Sequence, residues 1–128
     1  MVMKKSLLAV LAAFIWLAGT LFLRNEILLK HFWVDHYESL GLTFPSEPIN
    51  GAIWVLWSLL FAIVIYVLSR KFGLWGTTLV AWLAGFALME IVIANMGFLP
   101  LDILPYAIPM SFLEVLVAAF IIVKVDGK

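Results

Sequence analysis

The stretch LWGTTLVAWLAGFALMEIVIANMG, residues 74–97, decides the fold because it carries only one charged side chain, Glu90. A helix needs about 20 mostly apolar residues to cross the hydrocarbon core of a bilayer, which is about 30 Å thick. Three further apolar stretches of similar length cover residues 6–29, 50–69 and 106–123. The sequence therefore predicts an all-α polytopic membrane protein, with residues 1–128 as a single domain built as a four-transmembrane-helix bundle.

The composition excludes an ordinary water-soluble domain. Hydrophobic residues make up 66% of the 128 positions, charged residues make up 12%, and the mean hydropathy is +1.15. Soluble proteins contain about 45–50% apolar and about 25% charged residues. The formal net charge is zero and the positive residues are scattered, so nucleic acid is not an expected partner. The absence of cysteine excludes disulfides and thiolate chemistry.

The distribution of Lys and Arg predicts the orientation, because short loops with excess positive charge stay on the cytoplasmic side. With the N-terminus inside, Arg24 and Lys30 are external. Six positive residues are then cytoplasmic: Lys4, Lys5, Arg70, Lys71, Lys124 and Lys128. We therefore expect an integral protein of a plasma membrane, of the bacterial inner-membrane type, with cytoplasmic N- and C-termini.

Proline and polar residues mark the helix starts. Ser46, Glu47 and Pro48 predict the start of the second helix, with the Ser46 hydroxyl as the cap and the proline near the first helical position. Pro105 and Pro109 lie at the start of the fourth span, and Pro109 is expected to kink or loosen its first turn. Irregular backbone at that depth favours a cavity that opens to the outside.

The longest connection, residues 24–49, predicts an amphipathic helix that lies as a lid over the outer end of the bundle. Some of its polar side chains fall on one helical face at i, i+4 and i+7, and imidazole with carboxylate suits divalent metal ions. The candidate metal ligands are His31, Asp35, His36 and Glu38. The alternative is that they form the wet face of an interfacial helix. The sequence identifies no cofactor.

Small residues predict which helix faces pack together, since membrane helices approach closely where such residues line a face. The predicted stripes contain Ala9, Ala13 and Thr20 in the first span, Gly51, Ser58, Ala62 and Ser69 in the second, Ala87, Ala94 and Gly97 in the third, and Ala107, Ser111 and Ala118 in the fourth. Glu90 and Glu114 each lie on a stripe, three residues after one small residue and four before the next. Both carboxylates are therefore expected to face other helices rather than lipid.

An acidic residue at membrane depth is costly, at roughly 2.5 to 3.5 kcal/mol on insertion scales, and often marks function. The third and fourth spans are joined by a short link, so Glu90 and Glu114 can meet at one level as antiparallel neighbours. A first helix that continues to about Leu29 brings Arg24 to the same level. Two close carboxylates at low dielectric do not both ionise freely, so one is expected to hold a proton near neutrality. We predict a site for a proton, a cation or a ligand formed by Arg24, Glu90 and Glu114, with Asn95, Ser111 and Glu26 at its margins.

Several aromatic residues fall inside the spans, and two interpretations of them remain open. They are Trp54, Trp57, Phe61, Trp82 and Phe86. Aromatic side chains within an apolar bundle usually serve packing, which is the favoured interpretation. The other is an aromatic cavity for a ligand.

The leading functional hypothesis is a small proton- or cation-coupled transporter, or a small-ligand-binding protein, with an outward-facing polar cavity. The acids can instead serve as structural glue between helices, or the chain can be a non-catalytic accessory subunit of a larger membrane complex. No H-E-x-x-H, G-x-S-x-G, Walker or dinucleotide-binding pattern is present, so no catalytic residue is assigned and an enzyme is disfavoured. A bundle this small has little room to enclose a pathway alone, so a homo-oligomer or a partner membrane subunit is expected.

Overall fold

Apolar sequence with few breaks gives a structure dominated by helices. The computed structural model describes residues 2–127, and that part of the chain is helical without a strand. In chain order the elements are α1 (Val2–Phe22), a π-helical turn (Leu23–Leu28), α2 (Lys30–Ser39), α3 (Pro48–Ser69), α4 (Leu74–Trp82), a second π-helical turn (Leu83–Ala87), α5 (Leu88–Asn95), a 3-10 turn (Leu101–Ile103) and α6 (Leu104–Asp126).

Four helical segments are long and apolar enough to cross a membrane, as the sequence predicts. They are Met3–Leu28, Pro48–Ser69, Leu74–Asn95 and Leu101–Asp126. The first helix continues through Arg24, but with a π-helical turn at that point. The fourth span begins before the predicted Tyr106, and α6 runs on through Pro109. Pro105 occupies the first turn of α6, where a missing N–H removes no helical hydrogen bond.

The start of α3 differs from the predicted cap by one residue. Glu47 rather than Ser46 is the N-cap, and it forms a reciprocal capping box with Asn50, whose Oδ1 accepts from the Glu47 backbone N–H at 3.2 Å. Pro48 explains the choice, because the residue before a proline is held in an extended conformation. Glu47 has φ −75° and ψ 156°, as this restriction requires.

The core of the bundle forms where α1 packs against α3 and α6. Small side chains on these three helices are fully buried and let the backbones approach closely. The buried members of the predicted stripes are Ala9 and Ala13 on α1, Ser58, Ala62 and Ser69 on α3, and Ala107, Ser111 and Ala118 on α6. Two members of these stripes are exceptions, because Thr20 on α1 is half-buried and Gly51 lies on an exposed part of α3. The small-residue pattern thus identifies most of the packed faces of α1, α3 and α6.

The predicted stripe of the third span does not form the packed face. Ala87 and Ala94 are half-buried and Gly97 is exposed, whereas the buried residues of this span are Thr77, Thr78, Ala81 and Phe86. The reason is that α4 makes the main contacts of this span with α3 and α6. Ala87, Ala94 and Gly97 instead lie at or beyond the π-helical turn Leu83–Ala87, whose i→i+5 bonding changes the register between α4 and α5.

Hydrogen bonds and an ion pair join both ends of the chain at one end of the bundle. The Ser6 hydroxyl lies 2.7 Å from the Tyr66 hydroxyl and donates to Asp126 Oδ1 at 3.2 Å. Asp126 Oδ2 also accepts from Arg70 Nη1 at 2.8 Å. We call this the terminal end, and the opposite end, where α2 lies, the lid end.

Candidate functional site

Arg24 is the buried cation of the bundle, and the first π-helical turn positions it. Only 4% of Arg24 is exposed, and its Nε lies 2.8 Å from Oε2 of Glu114 on α6, which is itself buried. The two atoms are close enough for an ion pair, although the Nε–H does not point along a hydrogen bond to this oxygen. The structure therefore brings together two of the residues predicted for the cluster.

An aromatic ring completes the environment of this cation. The guanidinium carbon of Arg24 lies 5.1 Å from the centre of the Phe86 ring, within the range of a cation–π contact. Phe86 in turn meets Phe61 edge to face at 5.7 Å, and Phe61 stacks on Trp57 at 4.8 Å. Gly85 is required here, because a Cβ at this position would lie 2.5 Å from the Phe61 ring.

Two indole groups attach α6 to its neighbours next to Glu114. Trp16 Nε1 on α1 donates to the Glu114 backbone carbonyl at 2.9 Å, and Trp82 Nε1 on α4 donates to Ser111 Oγ at 2.9 Å. The Ser111 hydroxyl donates its own proton to the Ile108 carbonyl at 3.1 Å. Ser111 thus lies in the packed layer beside the ion pair, where it fixes helix contacts.

A cavity of about 430 Å³ lies at the lid end, between α1, α3 and α5 and beneath α2. The main backbone contacts of the third span with α3 and α6 come from α4, and the cavity lies beside the next segment, α5. Arg24 and Glu90 both line the cavity, as do Asn25 and Glu26 from the first π-helical turn. We call this space the lid-end cavity.

Glu90 carries an unsatisfied oxygen in this cavity. Its Oε2 is buried and has no hydrogen-bond partner among the described residues, and the same holds for Glu114 Oε1. The charge of Arg24 acts on both carboxylates, but its close ion pair is with Glu114. A buried acceptor without a donor is costly, so such a group usually has a functional or solvent-related explanation.

The lid helix α2 is attached to the bundle at two points. Trp33 Nε1 donates to Asn25 Oδ1 at 3.2 Å, and the Nε2–H of His36 donates to the Gly97 carbonyl at 2.8 Å. Trp33 and Tyr37 from α2 line the lid-end cavity, as does Phe44 from the connection to α3. A separate helix therefore lies within the predicted connection, and two of its aromatic side chains cover the cavity.

The remaining predicted residues are not brought into the cavity. Asn95 is exposed near the C-terminus of α5 and does not line the cavity. Of the candidate metal ligands, His31, Asp35 and Glu38 are exposed, and His36 makes the contact with Gly97. Within residues 2–127, no three His, Asp or Glu side chains are grouped closely enough to hold a metal ion.

The sequence pattern gives no site role to the residues that cover the cavity. Asn25, Trp33 and Tyr37 lie within the connection 24–49 that predicts an amphipathic helix. Their spacing carries a usable signal, because positions 33 and 37 lie on one face of α2. Of the aromatic residues inside the spans, Trp54 and Phe86 line the cavity.

The arrangement can enclose a small organic molecule between aromatic walls, with an acceptor oxygen and a buried cation at one side. Cavities of about 300–1,000 Å³ with apolar walls and a few polar groups are typical of small-molecule sites. No protein-family model, curated protein or solved structure matches this chain.

Proposed function

We propose that this chain is an integral membrane protein that binds a small ligand in the lid-end cavity and exchanges it with a proton at Glu90. Arg24, held by Glu114, serves as the fixed counter-charge. The observation that carries the proposal is the buried, unpartnered Glu90 oxygen in a cavity of about 430 Å³ beneath a separate helix. Such an oxygen accepts a hydrogen bond either from a bound ligand or from water, or it carries a proton itself.

The charges around the cavity support a different role for each acid. Glu114 lies against Arg24 and compensates its positive charge. This pair therefore has a structural role and keeps the cation in place. Glu90 has no such close partner, so its carboxylate is the group free to take a proton or a cation. The other titratable groups lining the cavity are Arg24, Glu26 and Tyr37.

The positive-inside pattern supports an outward-facing cavity. Arg70 lies at the terminal end together with Ser6 and Asp126. With both termini in the cytoplasm, the terminal end faces the cytoplasm and the lid end faces the external side of the membrane. In that orientation α2 lies at the outer membrane interface, and a ligand enters the cavity from the external side.

A carboxylate that binds either a proton or a cationic group makes the two compete. Lower pH then weakens cation binding, and cation binding releases a proton. We expect this competition within the window from about pH 5 to 8, since acidic residues inside membrane spans commonly take part in proton relays.

The test follows tryptophan fluorescence of the protein in nanodiscs between pH 5 and 8, because Trp33 and Trp54 line the cavity. Wild type is expected to show a pH-dependent change that Glu90→Gln removes. Glu38→Gln is the matched control, because Glu38 is exposed on α2 outside the lid-end cavity. A Glu90→Gln curve identical to the wild-type curve would contradict a proton step at Glu90, because any contribution of the histidines to the fluorescence change is the same in both proteins.

Oligomeric state belongs to the same proposal. A cavity lined within one chain allows a homo-oligomer in which every copy carries a complete site. Native purification separates this from the accessory-subunit alternative. A stable homo-oligomer supports the binding or transport role, and stoichiometric co-purification with one larger membrane complex supports the subunit role.

A further inference from the structure

We propose that the ligand of the lid-end cavity is a protonated organic amine with an aromatic or aliphatic body. This inference rests on the proposed function and names the chemical class that the site selects. Three features lead to it: the aromatic walls, the unbalanced charge of Glu90 and the buried acceptor oxygen.

The walls favour a flat or bulky apolar body that carries a positive charge. Seven aromatic side chains line the cavity: Phe22, Trp33, Tyr37, Phe44, Trp54, Phe86 and Phe98. The faces of such rings attract cations within about 6 Å of the ring centre. One of these rings, Phe86, already contacts a cation, the Arg24 guanidinium, at 5.1 Å.

The charge balance of the lining favours a cation over an anion. Arg24 is compensated by Glu114 at 2.8 Å, and Glu26 lies 3.4 Å from Lys30 Nζ. Glu90 is the lining carboxylate that these pairs leave without a close positive partner. An anionic ligand would meet this carboxylate, whereas a cation supplies the missing charge.

The acceptor oxygen adds a requirement for a hydrogen-bond donor. A protonated primary, secondary or tertiary amine has an N–H that can donate to Glu90 Oε2. A quaternary ammonium ion has the same charge and no N–H. The described chain offers no group of three His, Asp or Glu side chains of the kind that holds a transition-metal ion. The site therefore discriminates between cations of equal charge by their N–H groups.

The experiment compares three probes that share a naphthalene ring and differ in charge. They are the cation 2-(1-naphthyl)ethylamine, the neutral 2-(1-naphthyl)ethanol and the carboxylate anion 1-naphthaleneacetate. Binding to the full chain in zwitterionic nanodiscs is measured by calorimetry, with empty nanodiscs subtracted to remove lipid partitioning. The amine is expected to bind about tenfold more tightly than the alcohol, because only the amine can make a charge-assisted hydrogen bond to the Glu90 carboxylate. The acetate is expected to bind most weakly.

Variants of the protein test whether the Glu90 carboxylate causes the preference for the amine. Glu90→Gln is expected to reduce the amine-to-alcohol ratio to about one, Glu90→Asp to retain a preference, and Glu38→Gln to match wild type. The N,N,N-trimethyl derivative of the amine is expected to bind several-fold more weakly than the amine itself. Equal binding of this quaternary derivative would overturn the hydrogen-bond requirement.

Failure of this inference and failure of the proposed function give different results. Tightest binding of the acetate or equal binding of all three probes overturns the amine assignment. The proton step at Glu90 still stands in that case if Glu90→Gln abolishes the fluorescence response to pH. No binding of any probe, together with an unchanged pH response in Glu90→Gln, overturns both.

Discussion

Removal of the Glu114 carboxylate should leave a buried charge on Arg24 and destabilise the bundle strongly. The Nε–Oε2 distance is 2.8 Å, and the side chains are 4% and 7% exposed. Coulomb attraction at this distance is roughly 6 kcal/mol at an effective dielectric constant of about 20. Desolvation of both groups offsets much of it, but loss of one partner from a buried pair still costs about 3–5 kcal/mol.

A double-mutant cycle measures this coupling. Glu114→Leu is expected to lower the free energy of unfolding by about 3–5 kcal/mol, while the double variant Arg24→Met, Glu114→Leu should lose less than this single variant. The reason is that the double variant leaves no buried charge and keeps similar side-chain volume. The assay is unfolding in mixed micelles with increasing SDS, followed by tryptophan fluorescence.

The exposed pair Lys30–Glu26 serves as the matched control. Its side chains are 42% and 32% exposed and its N–O distance is 3.4 Å. Exposed pairs at i, i+4 are worth about 0.3–0.5 kcal/mol, so a parallel cycle at these positions should show little coupling. Additive losses in the Arg24–Glu114 cycle would refute the ion pair as a source of stability.

Two further predictions concern packing and the lid. Gly85→Ala should destabilise the protein by about 1–3 kcal/mol, because the new Cβ overlaps the buried Phe61 ring. The control Gly19→Ala, whose Cβ has nothing within 4 Å, should be neutral or slightly stabilising. Equal melting temperatures for the two variants would contradict the close approach of Phe61 to Gly85. His36→Ala should remove the hydrogen bond to Gly97, worth about 0.5–1.5 kcal/mol. It should also raise amide hydrogen exchange in α2 without changing exchange in α6, and unchanged exchange in α2 would show that this contact does not hold the lid.

The ion pair illustrates how far the candidate site could be predicted. The position of Glu114 three residues after Ser111 and four before Ala118 identified its buried direction, and the structure buries all three. The length of the first helix brought Arg24 to the same level. The direct contact of Arg24 with Glu114, and the placement of Glu90 on the cavity side, depend on how the helices are rotated about their axes. Sequence spacing constrains that rotation only loosely.

The third span shows where a periodic pattern fails. The small residues at 87, 94 and 97 lie in or after the π-helical turn Leu83–Ala87, whereas the packed residues Thr77, Thr78 and Ala81 lie before it. Gly85 and Phe86 lie in this turn, and the approach of Phe61 to Gly85 is a contact between different helices. The change of register is therefore coupled to tertiary packing that no local pattern records.

The amino-acid sequence by itself determined the helical class, the four long apolar segments and most packed faces of α1, α3 and α6, because hydropathy and small-residue spacing act within one helix. The tertiary structure alone decided the lid-end cavity, its closure by Trp33 and Tyr37, and the network of Ser6 and Asp126 at the terminal end. These features depend on where separate helices converge or diverge. That geometry results from the simultaneous packing of all the helices, so it becomes visible only when they are assembled.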